Sequence, residues 1–163
     1  MAMQFANVWE RVSDTVGDNI ALINGDKELS WSQLDVKAAK IATILEEYGL
    51  KSDSKVGIYL HNSNEYLEAQ YGVFKIEGVP INVNYRYKEN ELIYLLDNAD
   101  AEAVFFQGCY SERIKAIKDQ LPKIKVYIQI DDGTEPLMEG AIDYESSISS
   151  SKEQKRFDRT EEN

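Results

Sequence analysis

Val56-Gly57-Ile58-Tyr59-Leu60-His61-Asn62-Ser63-Asn64-Glu65 reads as a strand running directly into a helix start, and this junction sets the fold. The first five residues form a short apolar run of strand length. Asn62 can accept hydrogen bonds from first-turn amides while Glu65 reaches back, the reciprocal pattern that opens a helix. Leu67, Tyr71 and Phe74 then share one helical face, and Gly78 is placed to end the helix. Three more strand-like runs follow at 80–84, 103–107 and 125–130, so that successive strand starts lie 24, 23 and 22 residues apart. That interval holds one helix, which implies βα units and a parallel sheet.

The intervening segments carry the expected stripes. Leu92, Leu95, Leu96 and Ala99 fall at i, i+3, i+4 and i+7, with Glu89 and Glu91 where negative charge suits a helix N-terminus. Ile114, Ile117 and Leu121 repeat the stripe until Pro122 stops it. Upstream, 20–23 and 27–30 read as a small hairpin around Asn24-Gly25-Asp26, a turn sequence that tolerates positive φ. Ser30-Trp31-Ser32-Gln33 forms a capping box for a long helix ending near Gly49, and a shorter helix covers 7–16. The fold class is therefore α/β: a mostly parallel sheet flanked by helices, with a small N-terminal hairpin.

After Ile130 the character changes. Residues 131–145 hold six acidic side chains and no basic one, 146–151 are serine-rich, and 152–163 carry four basic and four acidic residues. Little apolar area is available there for burial. The expected organisation is one α/β subdomain over 1–145 and a flexible polar linker or tail over 146–163.

At 163 residues the chain has room for one domain with a real core. With 18 basic and 29 acidic residues its net charge is −11, which argues against nucleic acid or an anionic membrane as a partner. Residues 1–5 lead into a charged segment without an apolar signal region, and no run is long enough to span a membrane. The single cysteine, Cys109, forms no intrachain disulfide and suits a reducing, cytoplasmic setting.

Most chemical templates fail. The nine glycines never form GxGxxG or a Walker loop. A single histidine, His61, excludes His-based metal clusters and disfavours a Ser-His-Asp triad. It reads best as a hydrogen-bonded histidine at a strand end. Asp131-Asp132-Gly133 reads as a solvated turn, and Cys109 has no base near it in sequence. Asn82-Val83-Asn84-Tyr85-Arg86-Tyr87 is different, because it lies at the carboxyl end of a parallel strand, the edge where open α/β sheets bind ligands. From 76 to 112 the basic residues before Arg113 are Arg86 and Lys88, against seven acids. An arginine flanked by tyrosines at that edge can fork onto a phosphate or carboxylate, or it can pair with Glu89.

Phe74 to Tyr87 (FKIEGVPINVNYRY), followed by Glu91-Leu92 and Tyr94-Leu95-Leu96, resembles the second core motif of the AMP-forming acyl-CoA synthetases of the adenylate-forming superfamily. Leu29-Ser30-Trp31-Ser32-Gln33-Leu34 is similar to the first core motif, and the helix start at Asn62-Ser63-Asn64-Glu65 also resembles it. The likeness runs from about Phe5 to Glu145. Glu77 departs from it, standing where small residues are commoner. The chain also stops where the family's Thr/Ser/Gly-rich phosphate loop is expected to begin.

The resemblance implies a partial subdomain of the adenylate-forming fold: the N-terminal part of a ligase that joins a carboxylate to coenzyme A. Such a ligase uses ATP and Mg2+ and passes through an acyl-adenylate. It implies no catalytic residue and no metal ligand here, and no tight binding of ATP, Mg2+ or CoA by this chain alone. Arg86 matches an arginine that contacts CoA phosphate in some relatives, and Arg113 is a second candidate for the nucleotide end of that cofactor. The partners implied are a small-molecule carboxylate and the remainder of the synthetase. Sheet and helix faces left uncovered would favour self-association through an exposed edge. The alternative is a non-catalytic α/β binding or interaction module derived from the same scaffold. A flavodoxin-like or receiver-like domain would need a phosphate loop or acidic pocket that the sequence lacks.

Overall fold

The computed structural model describes residues 4–159. In chain order the elements are α1 (Phe5–Val16), β1 (Ile20–Asn24), β2 (Lys27–Ser30), α2 (Trp31–Glu47), β3 (Lys55–Tyr59), α3 (Asn64–Lys75), β4 (Val79–Asn82), α4 (Glu89–Asn98), β5 (Ala101–Gln107), α5 (Ser111–Ile117), β6 (Val126–Ile130), β7 (Ala141–Asp143) and α6 (Tyr144–Ser150). The hairpin β1–β2 is antiparallel. The other five strands form one sheet in the order β4-β3-β5-β6-β7, with every neighbouring pair parallel.

Period-2 alternation in the strands sorts the core onto two faces. Val56, Ile58, Ala103, Phe105, Val126 and Ile128 face α2, α3 and α6, where they meet Ile41, Leu45, Ala69, Val73, Tyr144 and Ile148. Tyr59, Val104, Phe106 and Tyr127 face the other way, onto Leu92 and Leu96 of α4 and Ile114 and Ile117 of α5. A smaller outer cluster packs α1 and the hairpin onto α2 and α3, with Trp9 edge-on to Tyr71 at a centroid distance of 4.9 Å.

Local signals set most element ends. The Ser30 side chain accepts from the Gln33 amide at 3.2 Å, and Gln33 Oε1 accepts from the Ser30 amide at 2.8 Å, completing the expected capping box. At α3 the cap is Ser63, one residue beyond Asn62, and its hydroxyl accepts from the Tyr66 amide. The other end of α3 also differs from expectation. Glu77, not Gly78, takes the left-handed conformation, with φ 58°. Gly78 is required for closeness: a Cβ there would lie 3.0 Å from both the Ser54 carbonyl oxygen and Val73 Cγ1.

The C-terminal third departs most from the sequence reading. The expected boundary at 145/146 falls inside α6, whose Tyr144 and Ile148 sit at i and i+4 on the buried face while Asp143 caps the helix. Four serines in that helix mask the stripe. Residues 151–159 have no regular secondary structure, yet they are not a loose linker. The Gln154 amide donates to the Ala39 carbonyl at 3.0 Å, Arg156 pairs with Asp14 and Asp35, and Arg159 pairs with Glu10. Acids on α1 and α2 thus order a polar segment that cannot form a core of its own. The remaining part of the expected tail, 160–163, lies outside the described residues.

Among the described residues the edge strands of the sheet are β4 and β7. Val79 and Val83 donate to Ser54 and Ile58 across the β3–β4 pair, so alternation turns Pro80 outward, where it offers no N–H. That makes β4 a poor template for a further strand. Among the described residues no helix is long and apolar enough to cross a membrane.

Candidate functional site at the carboxyl edge of the sheet

In this strand order β3 and β5 are neighbours, yet β3 leads into α3 on one face and β5 leads into α5 on the other. The loops part between them, and such a divergence at the carboxyl ends opens the crevice where doubly wound sheets bind ligands. Here Gln107 crosses it. Its Oε1 accepts from both the His61 amide and His61 Nδ1, each at 2.8 Å. Nδ1 therefore carries the imidazole proton, and Nε2 accepts from the Tyr110 hydroxyl at 2.9 Å. His61 is thus a fully hydrogen-bonded histidine at a strand end, as its sequence position suggests.

The turn after β4 carries Arg86. The Tyr87 amide donates to the Asn84 carbonyl at 2.9 Å, the Arg86 amide to Asn84 Oδ1 at 3.0 Å, and the Lys88 amide to Glu91 Oε2 at 2.9 Å. Three successive amides of the turn are thus hydrogen-bonded. The Arg86 side chain is exposed, with its guanidinium carbon 5.4 Å from the centre of the Tyr85 ring. Among the described residues the guanidinium has no hydrogen-bond or ion-pair partner, so the alternative pairing with Glu89 is not formed.

Arg113 lies on the same edge but is engaged differently. Its Nη1 donates to the Tyr59 hydroxyl at 2.9 Å and to the Tyr87 carbonyl at 3.2 Å. Tyr59, fully buried at the end of β3, donates to the same Tyr87 carbonyl at 2.7 Å and stacks on Tyr110 at 4.2 Å. Burial pushes the Tyr59 hydroxyl above its ordinary range, so it stays a proton donor at neutral pH. Tyr59, Gln107 and Tyr110 read in the sequence only as strand and helix positions. Their polar tips matter because they all end at one edge, and no linear signal marks that convergence.

The acidic turn after β6 behaves as a solvated turn. Asp131 Oδ1 accepts from the Gly133 amide at 2.8 Å, and Asp132 accepts from the Cys109 and Thr134 amides. Gly108 makes the close approach of these loops possible, since a Cβ there would lie 2.5 Å from Asp132 Oδ1. Desolvation of the sulfur and the adjacent Asp132 carboxylate push the Cys109 thiol up to about 11, which leaves it a poor nucleophile. Among the described residues no group of three or more His, Cys, Asp or Glu side chains could hold a metal ion.

This geometry can be set beside known proteins. The sequence is 36% identical over 160 residues to a 3-oxocholest-4-en-26-oate–CoA ligase of Rhodococcus rhodochrous, covering 97% of this chain and 29% of that enzyme. A medium/long-chain-fatty-acid–CoA/3-oxocholest-4-en-26-oate–CoA ligase of Mycolicibacterium smegmatis is 35% identical over 159 residues, again across 29% of its length. This chain therefore spans under a third of the relatives it matches. In structure it superposes on an anthranilate CoA ligase solved with anthranoyl-AMP at a TM-score of 0.87, with 20% identity, over 95% of this chain and 29% of that one. The parallel sheet, its strand order and its helix faces are thus a fold shared with a CoA ligase. The sequence model of the AMP-binding enzymes matches residues 8–162, and the chain belongs to that family.

Proposed function

We propose that this chain is the N-terminal segment of an AMP-forming acyl-CoA ligase acting in the cytoplasm. The reaction proposed for the whole protein joins a carboxylate to coenzyme A with ATP, through an acyl-adenylate, and yields acyl-CoA, AMP and pyrophosphate. The relatives support the reaction class, and their names point to a large apolar acid such as a steroid side-chain carboxylate or a medium- to long-chain fatty acid. The single structural observation that carries the reading is the Arg86 guanidinium, exposed and without a hydrogen-bond or ion-pair partner among the described residues, on the turn after β4 whose Tyr85 ring lies 4.9 Å from the His61 ring.

Arg86 fits a coenzyme A phosphate: a planar cation with free N–H groups and an aromatic neighbour, on a turn that needs nothing from its side chain. Arg113 adds positive charge to the same edge, though one of its nitrogens is already engaged. In this reading ATP and Mg2+ are held by the remainder of the ligase. The segment is the wall behind the active site, and the groups that stabilise adenylyl transfer belong to the rest of the ligase.

The purified 163-residue chain should give no carboxylate-dependent ATP–pyrophosphate exchange. A chimera carrying it in place of the matching segment of the Rhodococcus ligase should make acyl-CoA. Exchange by the chain alone at ligase rates would overturn the division of labour. A chimera that folds and adenylates but never forms thioester would instead favour the non-catalytic binding module.

A further inference from the structure

The turn that carries Arg86 is held from behind by two residues that do not share its exposure. The Tyr87 carbonyl, one residue beyond Arg86, accepts from the Tyr59 hydroxyl at 2.7 Å and from Arg113 Nη1 at 3.2 Å, and Arg113 also donates to that hydroxyl at 2.9 Å. The three groups close a small ring of hydrogen bonds. Tyr59 comes from β3, Arg113 from α5 and Tyr87 from the segment after β4, so the ring ties together three elements distant in sequence. Tyr59 is clamped in turn by stacking on Tyr110, over whose ring the Arg113 guanidinium carbon sits at 5.6 Å.

The contrast with Arg86 points to a division of roles. An arginine that met the ligand directly would keep its fork free, as Arg86 does. Arg113 turns one nitrogen inward onto a buried hydroxyl and a backbone carbonyl. We propose that Tyr59 and Arg113 are positioning residues for an anion site at Arg86, acting on a phosphate-bearing ligand through the 84–88 turn without touching it. The proposal rests on the reading of Arg86 as a coenzyme A contact and revises the expectation that Arg113 itself meets the cofactor. The physical reason is preorganisation. A flexible arginine on a loose turn must be ordered when the ligand arrives, whereas a turn already fixed at its carbonyl leaves only the side chain to order.

The test uses the 163-residue chain and two readouts. The first needs no ligand: amide hydrogen exchange at Arg86, Tyr87 and Lys88, with far-UV circular dichroism as the folding control. Tyr59→Phe, which keeps the ring and its stacking, should speed exchange at these amides about fivefold. Arg113→Lys should do the same, because an ammonium group keeps the charge but not the fork. The second readout is an NMR titration with coenzyme A, which reports weak binding. Arg86→Ala should abolish saturable shifts at the turn, Tyr59→Phe should weaken binding about fivefold, and Tyr59→Phe in the Arg86→Ala background should add nothing. Unchanged exchange in a folded Tyr59→Phe chain would overturn the positioning role. Faster exchange together with coenzyme A binding that ignores Arg86→Ala would overturn the reading of Arg86 and keep the lock on the turn. Arg113→Ala weakening coenzyme A as strongly as Arg86→Ala, with Tyr59→Phe silent, would return Arg113 to direct contact.

Discussion

Two arginine-bearing regions of this chain follow opposite plans. In the 154–159 segment the Arg159 side chain has no exposed surface. Its Nη1 donates to Asn7 Oδ1 at 3.0 Å and Glu10 Oε2 at 2.9 Å, while Nε and Nη2 donate to the Lys75 carbonyl. At the carboxyl edge of the sheet the Arg86 side chain stands exposed and, among the described residues, without a hydrogen-bond or ion-pair partner, while the amides of Arg86, Tyr87 and Lys88 are hydrogen-bonded. A guanidinium enters the interior only when its N–H groups find acceptors, so Arg159 is committed to structure. One left bare on a rigid turn is free to meet something else.

The largest effect is expected at the buried arginine. Arg159→Met should cost about 3 kcal/mol of folding stability, the low end for breaking a buried pair, because Glu10 keeps Lys75 at 2.7 Å. Arg156→Ala, whose side chain is 40% exposed, should cost under about 1 kcal/mol. Urea midpoints measure both. Equal losses, or an Arg159→Met loss below about 0.5 kcal/mol, would mean that the segment lies on the body without holding it.

That segment also shows where sequence reading stops. The parallel sheet was legible because the strand runs recur at intervals that hold one helix, a purely local regularity. The hairpin and its Ser30–Gln33 box were legible for the same reason. The docking of 151–159 was not, because its partners Asp14, Asp35 and Glu10 lie more than 100 residues away in the chain. A stretch of mixed charge looks alike whether solvated or matched to distant acids. At the site, Arg86 stood out as an isolated cation at a strand end, whereas the Tyr59–Tyr87–Arg113 ring depends on three elements meeting in space. Glu77 illustrates a third case. Its departure from the family pattern was visible, but the 58° φ that a glycine would relieve appears only in the fold.

A smaller effect is expected from acid. Asp35 accepts from Lys75, Tyr71 and Arg156, and although burial works to raise its pKa, these bonds together hold it below its ordinary value of 3.8. A carboxyl depressed in the folded state contributes stability at every pH above its unfolded value and loses it as pH falls through the native one. The Asp35 contribution should therefore be constant at neutral pH and fade below about pH 4. Stability measured against pH should show a shallower acid limb in Asp35→Asn than in the parent chain. Identical slopes would mean that Lys75 and Arg156 are neutralised by other acids and that Asp35 is a bystander.

The smallest effect is expected at the exposed arginine. Arg86→Ala removes an exposed side chain that lies over the Tyr85 ring and, among the described residues, makes no hydrogen bond or ion pair, so the urea midpoint should move by no more than about 0.5 kcal/mol. This near-silence is informative because the substitution also removes a cation from a chain of net charge −11, a change that disfavours the compact state slightly. A loss above about 1 kcal/mol would show that the guanidinium holds the fold in solution, through Glu89 or another acid nearby. Arg86 would then join Arg159 as a structural cation, and the free arginine on which the ligand site depends would be gone.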